Sequence, residues 1–343
     1  MQHNKVLLIA GLGVAVLVLF ESAIAQSPAF AYRQIATIAV PGGLAGFDIS
    51  WVDPGSELFY LTDRTATKGT GRIDVIDGQT NRFLYSIPTI PNEFGFVGNA
   101  GPGISGPNGV VAIPQKNQLY VGDGDSNVKV VDLAAKAIVA IIPTGGKFRA
   151  DELSYDPVDH IILITNPNDS PPFITFISAD TQTVLGKYIY PSTQSGLEQS
   201  QWNTLTKRFY MSRPASGGNP GGVDVINPIT MQVETTFPTP SCSPAGLVIT
   251  PNQHLVTSCG VVLDMTGNIL ATPSGASGDQ LWYNVGDNLL YFGATQSAVM
   301  DAGTNQILGY LPSVAGHTLA VDPNNNHIFA PVTGVGIKVF AAQ

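Results

Sequence analysis

The stretch PNGVVAIPQKNQLYVGDGDSNVKVVDLAAKAIVAIIPT, from Pro107 to Thr144, decides the fold. It opens on a polar residue, runs into an apolar strand and turns. A second strand, QLYVGD, follows, then a third, NVKVVD, and a fourth, AIVAIIP. Apolar residues alternate with a period of two, as in strands packed on both faces. Four short antiparallel strands with Gly, Pro, Asp and Asn between them describe one sheet that cannot bury both its faces alone.

The same unit recurs along the chain. Its first two strands read FDISWVDPGSELFYLTD from Phe47, ADELSYDPVDHIILITN from Ala150 and LEQSQWNTLTKRFYMSR from Leu197. They recur as PAGLVITPNQHLVTSC from Pro244, GDQLWYNVGDNLLYFGA from Gly278 and GHTLAVDPNNNHIFAPV from Gly316. With the Pro107 unit that makes seven. Each takes roughly 37 to 55 residues, the size of a propeller blade. The last unit stops after its third strand, GIKVF, at Phe340, while FAYRQIATIAV, Phe30 to Val40, stands unpaired at the other end. The expected fold is therefore all-β: a seven-bladed β-propeller of four-stranded blades, the last closed by the N-terminal strand.

Composition agrees. Only 12% of residues are charged, and Gly (37) and Pro (25) are abundant. The net charge of −9 would repel a phosphate backbone, so no nucleic-acid partner is expected. Residues 1–25 read as a signal peptide: Lys5, an apolar run from Val6 to Phe20, then Ala23-Ile24-Ala25. Residues 26–343 would form a single propeller domain, secreted or periplasmic, monomeric and without a membrane segment after cleavage. The apolar run is short for an uncleaved anchor. Cys242 and Cys259, an even pair in an oxidising compartment, are expected to form a disulfide across the mouth of a hairpin. No CxxCH occurs, which excludes covalent c-type haem.

The segment from Leu119 to Gly145, LYVGDGDSNVKVVDLAAKAIVAIIPTG, resembles the YVTN-repeat β-propellers. That resemblance implies a seven-bladed, often exported propeller without implying one activity. A more distant likeness, in architecture only, is to the gluconolactonase/regucalcin propellers, which hold a divalent cation at the axis. No full motif of that family is present.

In a propeller the residue opening each first strand faces the channel mouth. Those residues are Asp48, Asn108, Asp151, Glu198, Ala245, Asp279 and His317. Crowded carboxylates raise one another's pKa unless a cation neutralises them. Asp48, Asp151, Glu198, Asp279 and His317 are therefore candidate ligands for one divalent cation, Ca²⁺, Mg²⁺ or Mn²⁺, with His317 tilting the set toward Zn²⁺. The alternative is that Asp and Asn at such positions bond nearby backbone amides. Asp151, Glu198 and His317 are candidate catalytic groups for a metal-dependent, lactonase-like hydrolase or a lyase. Asn108, Arg149, Glu152 and Arg213 are candidate ligand-binding residues. Asp63, Asp123, Asn166 and Arg213 end second strands and would form an outer ring. Trp202 and Trp282 are expected to pack in the core between blades, the alternative being that they stack a sugar or aromatic ligand. GxSxG, HExxH and P-loop motifs are absent. The first reading is thus a module that binds a small molecule or a protein at the upper face, and the second an enzyme.

Overall fold

One local signal repeats at five of the turns between first and second strands. At the lower end of the first strands, a side-chain carbonyl or carboxylate caps the turn. Asp53 accepts from the Gly55 amide (3.2 Å), Asp156 from Val158 (2.7 Å) and Asn203 from Leu205 (2.8 Å). Asn284 does the same for Gly286 (3.2 Å) and Asp322 for Asn324 (3.0 Å). Such turns let β-branched and aromatic runs fold back as antiparallel strands without other help.

The computed structural model describes residues 31–89, 95–240, 242–314 and 316–343. The expected signal segment, 1–25, lies outside the described residues. The strands form seven four-stranded antiparallel sheets. Blade one holds β2 (Phe47–Asp53), β3 (Leu58–Asp63), β4 (Arg72–Asp77) and β5 (Arg82–Ile87). Blades two, three and four are β6–β9, β10–β13 and β14–β17, between Val110 and Thr239. Blade five is the slightest: β18 (Leu247–Ile249), β19 (Leu255–Thr257), β20 (Val262–Leu263) and β21 (Ile269–Ala271). Blade six is β22–β25, between Leu281 and Tyr310. Blade seven joins β26 (Ala320–Val321), β27 (Ile328–Val332) and β28 (Gly336–Ala342) to the N-terminal β1 (Tyr32–Ile38). Tyr32 pairs with Ala342 and Ile38 with Ile337, so the ring closes through the two ends of the chain, as the repeat count predicts.

The core is divided among the blades. Seven apolar clusters each span one junction between neighbouring sheets. At the closing junction Phe59 of blade one meets Phe329 of blade seven, 5.1 Å between ring centroids. Each sheet thus buries both faces only by stacking on its neighbours. The slightest cluster lies between blades four and five. There the Cys242–Cys259 disulfide joins the segment before β18 to the end of β19, with a Cα–Cα distance of 5.8 Å. It is the bond expected from the sequence. Among the described residues no helix is long and apolar enough to cross a membrane.

Candidate functional site

Each first strand descends along the channel wall, so the side chains meet in tiers. The upper tier is the predicted one. Its polar residues are joined by two arginines. Arg64, just beyond β3, donates to Asp48 and to Asn108 Oδ1. Asn108, fully buried, passes its own amide hydrogen to the Ala150 carbonyl at 2.9 Å. Arg149 pairs with Asp151 at 2.7 Å and approaches Asp48 to 4.0 Å. His317 Nε2 lies 3.2 Å from the other Asp48 oxygen, and its ring stacks on Phe47 at 5.2 Å.

These contacts divide the acids into two kinds. Burial alone would raise the pKa of Asp48, but Arg64, the His317 hydrogen bond and Arg149 outweigh it and hold the carboxyl at about 2. Asp151 is pushed up to about 6 by burial, against the pull of Arg149. Glu198 rises to about 8, through burial and then the charges of Asp151 and Asp279. Glu152 is raised well above its usual range by burial and by Glu198. At neutral pH the mouth therefore holds ionised Asp48 against two guanidinium groups, with Glu198 largely protonated beside them. For His317, burial lowers the pKa but the bond to Asp48 more than restores it, and the net shift is upward.

Above this tier lies a cleft of about 510 Å³, bordered by Arg64, Arg149, Asn99, Ser105 and Asn168. One wall is the Gly-rich connection between β5 and β6, fastened by the bond from Arg149 N to Gly103 O (2.7 Å). Below it the channel narrows. Glu152, Gln199, Gln280 and Thr318 follow the upper-tier residues by one position. Gln280 donates to Glu152 at 3.3 Å and accepts from Thr318. Thr318 in turn bonds Ser50 at 3.0 Å. This belt leaves a void of only about 20 Å³.

The outer ring has a different use. Asp63 pairs with Arg72 (2.8 Å), which also meets Asp74 (3.1 Å). Asp123 pairs with Lys129. Arg213, expected to face a ligand, is tied to Asp224 (3.2 Å) and Gln194 (2.9 Å), in a separate groove beside Tyr188 and Tyr190. Asp74, Lys129 and Asp224 hold one register position on the third strands of blades one, two and four, opposite Leu61, Val121 and Met211. Asn166, the fourth, donates to Ser126 Oγ. Asp63, Asp123 and Arg213 thus pair with third strands of their own blades, and Asn166 reaches into blade two.

A divalent cation does not fit the upper tier as it stands. Arg64 and Arg149 already occupy the faces of Asp48 and Asp151 where an ion would sit. Among the described residues no three His, Cys, Asp or Glu side chains converge as a metal needs. Sequence reasoning missed Arg64, Asn99, Ser105 and Asn168 in the cleft, and Gln199, Gln280 and Thr318 in the belt. Arg64 was detectable as a cation directly after a strand-ending Asp.

No protein-family model and no curated protein matches the sequence. The YVTN likeness of blade two therefore stands as a resemblance of pattern. Among solved structures the chain is similar to Kuenenia stuttgartiensis hydrazine synthase, with a TM-score of 0.68 and 12% identity. The match covers 90% of this chain and 98% of that one. At that identity the likeness shows the propeller fold and nothing further.

Proposed function

We propose that this chain is an exported β-propeller that binds a small molecule bearing a carboxylate at the upper mouth of its channel. The observation that carries this reading is the pair Arg64 and Arg149, from different blades, bordering one open cleft. A guanidinium presents several N–H donors in a plane, and Asp48 and Asp151 use only some of them. The Arg149 Nε–H is buried with no hydrogen-bond partner. The remaining cleft residues offer amide and hydroxyl groups suited to the polar remainder of such a ligand. The disulfide and the N-terminal apolar run support export.

The test is calorimetric titration of the mature protein with succinate and acetate, and with the matching diamine and monoamine. Saturable heat with the acids only, weakened by Asn168→Ala and abolished by Arg64→Ala, is the expected result. The competing reading is a metal-dependent hydrolase, using Asp48, Asp151, Glu198, Asp279 and His317. Stoichiometric metal in the purified protein, with carboxylate heats absent, would replace our reading with that one.

A further inference from the structure

The lower mouth of the channel is a second cavity of different chemistry. It measures about 240 Å³ and is walled by Trp51, Gln201, Val248, Trp282, Tyr283 and Val321 among others, none of them charged. Trp51 and Trp282, both half-buried, meet edge to face at 5.4 Å and 79°. The belt around Gln280 closes the cavity above. Among the described residues, neither indole N–H and neither end of the Gln201 amide has a protein hydrogen-bond partner. Gln199 beside them is committed: it accepts from the Leu247 amide (2.9 Å) and donates to the Leu281 carbonyl (3.3 Å). Gln201 therefore differs from its neighbour in having no structural duty. Val285, also on the wall, is 69% exposed.

We infer that the lower mouth binds an uncharged planar ring carrying an amide or carbonyl group. A charged ligand would lose its hydration with no opposite charge to meet. A planar ring gains stacking and edge contact from the two indoles that a puckered ring does not. One amide and two indole N–H groups can satisfy a single carbonyl or carboxamide, but not the many hydroxyls of a sugar. This site is independent of the carboxylate cleft above.

The protein reports on the site itself. Of its three tryptophans two wall the cavity, and the third, Trp202, packs on Phe209 at 4.9 Å. Benzamide is the probe, with benzoate and cyclohexanecarboxamide as its charged and non-planar counterparts, followed by tryptophan fluorescence of the mature protein. We expect a saturable change with benzamide and at least about tenfold weaker responses with the other two. Gln201→Ala should weaken benzamide by about tenfold. Trp202→Phe and Arg64→Ala should leave its midpoint unchanged. Among the described residues the Gln201 side chain makes no hydrogen bond, so its variant should remain folded, which circular dichroism would verify. No saturation with benzamide, an equal response to benzoate, or an unchanged midpoint in Gln201→Ala would each overturn the inference. So would a concentration-dependent dimer whose formation alone alters the fluorescence, because the mouth would then receive a second copy of the chain.

Discussion

The two ends of the channel are built from the same seven strands, three residues apart, and share almost no chemistry. At the upper end Asp48, Glu198 and Asp279 open their strands. Three positions further down the same strands stand Trp51, Gln201 and Trp282. The upper end holds its shape by charge: Arg64 spans blades one and two, and Arg149 ties blade three back to Asp48. The lower end holds its shape by contact between rings. Between them, Gln280 and Thr318 form a belt that is polar yet uncharged. A propeller can thus carry two unrelated surfaces on one set of strands, because each tier is chosen independently. The difference also predicts where the molecule is fragile.

The largest effect should come from unpairing a buried acid at the upper end. Arg149→Ala leaves Asp151, 2% exposed, without its cation. Breaking such a pair typically costs about 3 kcal/mol or more, because the remaining group stays buried. Urea unfolding would measure it. The double variant Arg149→Met/Asp151→Leu should recover much of the loss. Gln201→Ala at the lower end should change stability by less than about 0.5 kcal/mol. Equal losses at the two ends would mean that charge does not set the upper mouth apart from the lower.

The next effect concerns the upper side of blade five. Its first strand opens on Ala245, which brings no charge to the tier, and its strands are two or three residues long. The disulfide encloses a separation of 17 residues. By the loop-entropy argument its loss should cost about 3 kcal/mol. Cys242→Ala/Cys259→Ala, unfolded in urea without reductant, gives the value. Reductant should lower the stability of the native chain by a similar amount and leave the double variant unaffected.

Much of this arrangement was legible in the sequence. The blade count, the closing strand, the cysteine pairing and the upper tier follow from strand period and repeat alignment alone. What was not legible depends on reach across blades. Arg64 lies one residue beyond the aligned block and acts through a long side chain on Asn108, in the next blade. Arg213 aligns with Asp63, and alignment cannot show that Asp224 on the third strand captures it. Gln199, Gln280 and Thr318 read as ordinary polar residues in strands until the period of two turns them toward one axis. Trp51 and Trp282 lie 231 residues apart by their numbers (282 less 51), and only ring closure makes them neighbours.

A third effect separates the two ends by pH. Glu198 has a folded pKa of about 8, above its ordinary 4.5. The folded state therefore binds this proton more tightly than the unfolded chain does. The resulting stability is complete below about pH 4.5 and is lost as pH rises through 8. His317, also raised, acts in the same direction above its ordinary 6.5. Asp48, held at about 2, acts oppositely, losing its contribution only as pH falls below about 4. Unfolding free energy should thus decline between pH 5 and 8, by roughly 3 kcal/mol from Glu198. Glu198→Gln should flatten the decline. Gln201→Ala should leave it untouched, because Tyr283, the titratable group on the lower wall, is raised above its ordinary 10 and does not titrate in that window.

The smallest effect tests the belt that keeps the ends apart. Gln280→Ala removes the donor to Glu152 and the acceptor for Thr318. Thr318 keeps its bond to Ser50, and burial shifts Glu152 toward its neutral form, so the loss is one of hydrogen bonds rather than of a cation. The cost should be about 1 kcal/mol, that of lost neutral hydrogen bonds rather than of a broken ion pair. The space vacated adjoins both Trp282 and Glu152. Water entering there would hydrate Glu152 and lower its pKa, since burial is the main cause of its upward shift. Carboxyl titration of Glu152 by isotope-edited infrared spectroscopy should therefore move toward the ordinary range in Gln280→Ala and stay high in Gln201→Ala. If both variants left it unmoved, the belt would not be what shields Glu152 from solvent, and the chemical separation of the two mouths would need another cause.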